Sequence, residues 1–340
     1  MVTAPTALEA GVAPRSAFQQ SDMISIADLS SAEIHEIFNM ARRIKARPAG
    51  FSGALAGKQF VLMFEKPSLR TRVTFEVGIR KLGGAAMFME HPGGIDAREK
   101  IADIAHNLER WIDGIVLRTF KHSTVTDMAK YASVPVINGL SELEHPCQAL
   151  ADYFTLQERF GDVSSLKLAF VGDGNNVAHS LMLAAAALGS CIAVATPAGF
   201  EPSKAVVKAA QKMAQRTGAI IEITNDVRAA VAGADAVYTD VWASMGQESE
   251  AANRDAIFRP FQVNRELMSL AAPEAAFLHC LPAHRGDEVT DEVLDSPRSI
   301  VFDEAENRMH VQNAIMVLLC NSSARVHRGK PAAAVKAARA

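Results

Sequence analysis

Short apolar runs rich in β-branched residues alternate with longer amphipathic stretches along most of the chain. The first group of runs is QFVLMF (59–64), AAMFM (85–89), GIVLR (114–118) and VPVIN (134–138). The second is LKLAFV (166–171), CIAVAT (191–196), AIIEI (219–223), AVYT (236–239), AFLHC (276–280) and SIVF (299–302). Runs this short and this apolar read as strands covered on both faces. Their usual spacing of roughly 20–30 residues leaves room for one crossover helix each. Between them the period turns helical. In SLRTRVTFEVGIRKLG, residues Phe75, Ile79 and Leu82 share one side, Val73, Val77 and Arg80 lie elsewhere, and a glycine pair ends the pattern. Strand–helix alternation predicts an α/β protein: ten strands split between two doubly wound parallel-sheet domains joined by helices. The stretch HPCQALADYFTLQERF (145–160) is the candidate joining helix. The last helical pattern, AENRMHVQNAIMVLLC (305–320), follows the final run and would pack back on the first domain. The expected division is a flexible tail at 1–22, a first domain at 23–150 completed by a helix at about 305–323, a second domain at 151–304, and a tail at 326–340.

Composition narrows the function classes. The 340 residues carry 35 Lys+Arg against 38 Asp+Glu, a formal net charge of −3. Without a basic block, a nucleic-acid partner is not expected. With 49% hydrophobic and 21% charged residues the chain is globular. No run approaches the ~18 consecutive apolar residues of a membrane span, so no membrane partner is expected. Cys147, Cys191, Cys280 and Cys320 lie far apart, with no CxxC pair and no Cys/His cluster at zinc-site spacing. That pattern predicts reduced thiols, a cytoplasmic location and no metal. The N-terminal stretch lacks the charged start and apolar core of a secretory signal.

In parallel sheets ligands bind beyond the carboxyl ends of the strands, so the residues there come first. After 59–64 the chain reads FEKPSLRTR, which places Ser68, Arg70, Thr71 and Arg72 at a helix start. Free backbone N–H groups, two hydroxyls and two guanidiniums suit a phosphate. An ordinary serine cap beside solvated arginines is the plainer alternative. Arg118 ends the third run, where it is either paired or snorkelling. After the fourth run His145 precedes Pro146, so His145 and Gln148 project from a first helical turn. A lone histidine is more often structural, yet this one sits at a third strand end. In the second half, GDGNN after 166–171 resembles a dinucleotide loop. It has Val177 where the third glycine of GxGxxG belongs, and no acidic residue ends the next run. Asp240 ends 236–239 before a glycine-containing loop. Cys280 stands in HCLP, where a small buried thiol is the commoner role.

Together these segments resemble the aspartate/ornithine transcarbamylase family. FEKPSLRTR is similar to its carbamoyl-phosphate signature, HPCQ to its HPxQ element, and DVWASMGQE and HCLP to second-domain signatures of its ornithine-specific members. The resemblance covers about residues 23–325, with four signatures in order. Aspartate-specific members carry HPLP where this chain has HCLP. The resemblance implies transfer of the carbamoyl group of carbamoyl phosphate to the δ-amine of L-ornithine, a step of arginine biosynthesis giving L-citrulline and phosphate. It implies no cofactor. Ser68, Leu69, Arg70 and Thr71 would bind the phosphate, and Arg118, His145 and Gln148 would reach phosphate and carbonyl. Asn176, Asp240, Ser244 and Met245 would hold ornithine. Cys280 and Leu281 would touch both ligands, and Arg308 would close on carbamoyl phosphate. The family's usual STRT is SLRT here, one hydroxyl fewer. The loop EHPGGIDAREK aligns with a segment that a neighbouring subunit donates, with Gly94 in place of its glutamine and Arg98 as the candidate contact. The family implies a homotrimer. Cys280, Arg118, His145 and Asp240 are the expected catalytic set. Rival readings are a sister transcarbamylase using putrescine or an N-acylated ornithine, an NAD-dependent dehydrogenase, and a binding module without turnover.

Overall fold

The computed structural model describes residues 18–243 and 251–322, without the side chains of 251–253. Its elements in chain order are α1 (Ser31–Ala46), β1 (Gln59–Phe64), α2 (Leu69–Lys81), β2 (Ala85–Glu90), α3 (Ile101–Leu108), β3 (Gly114–Arg118), α4 (His122–Tyr131), β4 (Val136–Leu140) and α5 (Pro146–Phe160). Then come β5 (Lys167–Val171), α6 (Asn176–Leu188), β6 (Cys191–Ala195), α7 (Lys204–Thr217), β7 (Ile220–Thr224), α8 (Val227–Val231), β8 (Ala236–Thr239) and α9 (Ala251–Phe258). The last are α10 (Arg265–Met268), β9 (Ala276–Leu278), α11 (Asp291–Leu294) and α12 (Val301–Asn321).

The strands form two parallel sheets, ordered β2-β1-β3-β4 and β7-β6-β5-β8-β9. The first order reverses between β2 and β3 and the second between β7 and β8, which is the doubly wound pattern expected from the alternation. The tenth expected strand, 299–302, is absent: Ser299 makes one isolated bridge to Phe277, and the chain enters α12 at Val301. Val301, Glu304, Arg308 and Val311 are all buried on that helix. At spacings of three and four, helical period won over the local β-branched composition. The fourth run also shifts, pairing from Val136 rather than 134, because Pro135 has no N–H to give.

Two helices bind the halves together. On α5 every residue from Pro146 to Leu156 is buried, so the first three turns of this helix are enclosed on all sides. It contacts β4, α6 and α12. Helix α12 packs on α1, α2 and α5, returning the end of the chain to the first sheet. Where α2 meets α12, a Cβ on Gly78 would lie 2.1 Å from Asn313 Oδ1, so a larger residue there would have to displace the Asn313 amide. Phe75 and Ile79 are buried while Val73 and Val77 face outward, as the spacing predicts. Burying each of those two contributes roughly 1.5–3 kcal/mol.

The expected N-terminal tail reaches too far. Phe18 is buried, the Gln19 amide donates to Glu33, and the Val136 amide donates to Asp22. An apolar anchor and backbone hydrogen bonds tie 18–22 down. The tail at 326–340 lies outside the described residues.

Candidate active site

The carboxyl ends of both sheets face one cavity of about 360 Å³. Its first wall starts where β1 hands over to α2. Ser68 is extended, and its hydroxyl accepts the Thr71 amide at 3.3 Å, so the serine is an N-cap as well as a cavity residue. Leu69, Arg70 and Thr71 follow in the first turn and line the cavity. Arg118 closes β3, buried, and Arg308 arrives from α12 with its Nη2 donating to Thr71 Oγ1 at 2.8 Å. Arg70, Arg118 and Arg308 thus converge, and none has a carboxylate partner among the described residues. Burial, with Arg308 beside it, pushes Arg118 down to about 10. Arg70 is lowered by burial and then by Arg308. The Nε atoms of Arg118 and Arg308 are buried without partners. Three crowded guanidiniums with orphaned donors are a site built for an anion.

His145 lies just before Pro146, at the start of α5, and lines the same cavity. Its backbone N–H donates to Ser180 Oγ on α6 at 2.9 Å. Burial, then Arg308 and Arg118, hold its imidazole well below the usual range, so the ring is neutral. A neutral ring carries one N–H that can donate to a carbonyl oxygen.

The second wall is made of acceptors. Asp240, at the end of β8, is surrounded by donors: Val241 N–H and Cys280 Sγ on Oδ1 (2.8 and 3.1 Å) and Asn175 Nδ2 on Oδ2 (2.8 Å). Burial, then Asp240 and Glu304, push the Cys280 thiol far up. Cys280 is therefore a thiol donor rather than a thiolate nucleophile. Leu281 sits at φ 58°, in the left-handed region, and precedes a cis Pro282. Asn176 also lines the cavity, its Nδ2 anchored on Ser141 O at 2.6 Å.

The GDGNN loop has its own explanation. A Cβ on Gly174 would lie 2.3 Å from Pro202 N and 2.6 Å from Phe200 O. The glycine admits the neighbouring loop, not a pyrophosphate. Asn175 caps α6 from within, accepting the Val177 and Ala178 amides. The helix N-terminus that a dinucleotide needs is already filled. Asp240, His279 and Cys280 form the cluster of metal-capable groups among the described residues. Both ring nitrogens of His279 are engaged, with Glu288 and with the Leu281 amide.

Of the residues singled out in the sequence, Ser68, Leu69, Arg70, Thr71, Arg118, His145, Asn176, Asp240, Cys280, Leu281 and Arg308 meet at this cavity. Gln148 does not line it; its amide turns away to Asp152 and Glu304, which the first-turn reading did not foresee. Arg98 lies in a separate surface hollow with Asp127 and Tyr131. Ser244 and Met245 fall outside the described residues.

Family models match both halves. The carbamoyl-P binding domain model of aspartate/ornithine carbamoyltransferase matches residues 21–158, and its Asp/Orn binding domain model matches 164–319. The chain belongs to the aspartate/ornithine carbamoyltransferase family. Within this carbamoyltransferase family, it is 54% identical over 301 residues to an ornithine carbamoyltransferase of Symbiobacterium thermophilum, covering 88% of this chain and 97% of that one. It is 51% identical over 304 residues to one of Thermococcus kodakarensis, covering 88% and 96%. The solved structure of the Pyrococcus furiosus ornithine carbamoyltransferase superposes with a TM-score of 0.85 at 50% identity, over 87% of this chain and 96% of that one.

Sequence reasoning passed over Lys66 and His284, which also line the carbamoyltransferase cavity. Lys66 is at a strand end, the signal used for its neighbours. Its ammonium stacks over Phe120 at 4.6 Å and is lowered by burial and by Arg118. His284 lies beyond HCLP in a loop with no periodic signal.

Proposed function

We propose that the chain transfers the carbamoyl group of carbamoyl phosphate to the δ-amine of L-ornithine, giving L-citrulline and phosphate. The observation that carries this reading is the pairing of three guanidiniums lacking carboxylates with a carboxylate–thiol wall across one cavity. The anionic donor substrate belongs on the first wall and the cationic acceptor on the second. Arg70, Thr71, Ser68 and the Leu69 amide hold the phosphate, with Arg308 over it. Arg118 and the neutral His145 donate to the carbonyl oxygen and stabilise the oxyanion of the tetrahedral intermediate. Asp240 pairs with an amino group of ornithine, whose ammonium must lose a proton before attack. Attack by the neutral nitrogen forms the C–N bond, and collapse breaks the C–O bond to phosphate, which leaves carrying the proton that the attacking nitrogen gives up. Cys280, protonated beside Asp240, orients the amine by hydrogen bonding. Asn176, Ser244, Met245 and Leu281 complete the acceptor pocket.

Formation of citrulline or the corresponding carbamoylated product by the purified chain, with ornithine, putrescine, lysine and N-acetylornithine each supplied at matched concentration, tests the reading. Ornithine should lead, since putrescine lacks the α-carboxylate and acetylation removes a charge. A higher kcat/KM for either would overturn the substrate assignment.

We further propose that the active form is a homotrimer, with Arg98 reaching a neighbour's site. Leu69, Val73 and Val77 on α2 and Met87 and Met89 on β2 are exposed, an apolar surface that suits assembly. Mixing Arg98→Ala chains with Arg118→Ala chains should regenerate activity if each site is built from two subunits. Hybrids no better than their parents would sink that arrangement. A cytoplasmic location fits the four free cysteines. No described helix is long and apolar enough to cross a membrane.

A further inference from the structure

The loop after β9, which brings Cys280 and Leu281 to the cavity, is held by a buried histidine–glutamate pair. The side chains of His279 and Glu288 are fully buried. Nδ1 of His279 accepts the backbone N–H of Leu281 at 2.9 Å, and Nε2 meets Glu288 Oε1 at 3.0 Å. An Nδ1 that accepts carries no proton, so the ring's hydrogen is on Nε2 and is donated to Glu288. The same Glu288 oxygen accepts the His284 amide at 2.6 Å. Glu288 Oε2 is buried with no partner, so the hydrogen bonding of this carboxyl goes entirely to the 279–284 loop.

Glu288 is itself anchored from outside that loop. Its backbone carbonyl accepts the Val263 amide at 2.8 Å, and the Thr290 amide donates to Val263 O at 3.1 Å. Val263 and Val289 are buried in the core of the second domain. Leu281, by contrast, is held at φ 58°, a left-handed conformation that a leucine keeps only where its surroundings over-determine it. Its amide is met by Nδ1 in one ring orientation alone. Turned over about Cβ–Cγ, the ring would present Cδ2 to Leu281 and Cε1 to Glu288, and both bonds would be lost together.

We propose that Glu288 is a positioning residue for the acceptor substrate, acting through His279: it orients the imidazole that holds Leu281 left-handed, and so sets Cys280 and Leu281 against ornithine. The inference rests on the function proposed above. Neither Glu288 nor His279 lines the cavity, so both act at one remove. Arg70, Arg118 and Arg308 make no hydrogen bond to this loop among the described residues, so the grip on carbamoyl phosphate does not depend on it.

The experiment measures the KM for ornithine and, by calorimetry, the dissociation constant of carbamoyl phosphate in wild type, Glu288→Ala, Glu288→Gln and His279→Gln. Glu288→Ala frees the ring, so the KM for ornithine should rise about tenfold while the carbamoyl phosphate constant moves less than about twofold. Glu288→Gln keeps an acceptor oxygen for the ring and should stay within about threefold of wild type. His279→Gln keeps a donor for Glu288 and loses the acceptor for Leu281. It should match Glu288→Ala, and the two changes combined should raise the KM no further than either alone. A merely structural carboxyl would lower the active fraction, and hence kcat, and leave the KM in place. An unmoved KM for ornithine, an equal rise in both constants, or a Glu288→Gln variant as poor as Glu288→Ala would overturn the proposal. If Glu288→Ala does not fold, His279→Gln carries the test with the same selective rise. Wild-type protein that forms no citrulline would overturn the functional reading, and with it the role of this loop toward ornithine. Failure of the proposal alone leaves citrulline formation by the wild type intact, so the two failures are distinct.

Discussion

The two walls of the cavity are built on opposite plans. On the first, Arg70, Arg118 and Arg308 meet without counterions, and burial and mutual repulsion lower Arg70 and Arg118. On the second, Asp240 already holds Cys280, Asn175 and the Val241 amide. The cationic wall is electrostatically strained and is relieved by its ligand. The acceptor wall is satisfied by itself, and its ligand must compete with protein donors. Affinity is therefore drawn chiefly from the first wall and discrimination between amines from the second.

The largest effect that would break this comparison is at Asp240. Asp240→Asn keeps the size and removes the charge, so kcat/KM for ornithine should fall by about two orders of magnitude. The KM for carbamoyl phosphate should move less than about twofold if the walls act independently. Steady-state kinetics with each substrate varied decides it, and an equal loss for both would end the division of labour.

A smaller effect is expected at Arg70, one of three cations. Arg70→Ala removes a charge-assisted contact of roughly 1.5–3 kcal/mol, so carbamoyl-phosphate binding should weaken at least about tenfold. Because that guanidinium is repelled by Arg308, the thermal midpoint should hold or rise. Calorimetry and a melting curve on the same sample test both halves. Unchanged affinity, or a large loss of stability, would show that the cationic wall is not strained for its ligand.

The smallest effect lies beside the site. Glu144 accepts from Ser25, the Ile26 amide and Ser180, and burial pushes its carboxyl up to about 7. A raised carboxyl means that the native state binds more protons than the unfolded one between about pH 4.3 and 7. Stability from this group is complete below that window and is lost as pH rises through it, by on the order of 3 kcal/mol at most. The stability difference between wild type and Glu144→Gln should therefore change between pH 5 and 8, with wild type losing more. Parallel pH profiles would show that Glu144 does not titrate in that range.

Much of the fold was legible because periods of 2 and 3.6 are local properties, and nine of the ten expected strands lie at or within two residues of their runs. The failure at 299–302 is instructive, since four apolar residues satisfy either period and only the α12 packing chose the helix. The phosphate-side residues were legible because Ser68 to Thr71 are contiguous in one helix start. Gln148 was placed correctly on its helix, but nothing local showed that its amide would turn to Asp152 and Glu304.

The amino-acid sequence by itself determined the alternation of strand and helix, the strand ends that carry polar residues, and the signatures that the chain shares with its family. Tertiary structure alone decided which distant groups meet. Arg308 bonds Thr71 across 237 positions, and Glu304 meets Gln148 across 156. Hydrophobic burial is additive along an element and leaves a periodic trace. A charge cluster or a buried hydrogen-bonded pair depends instead on side chains brought within a few ångströms by the packing of α5, α12 and the two sheets, and pairwise electrostatics at that range leaves no pattern in the order of residues.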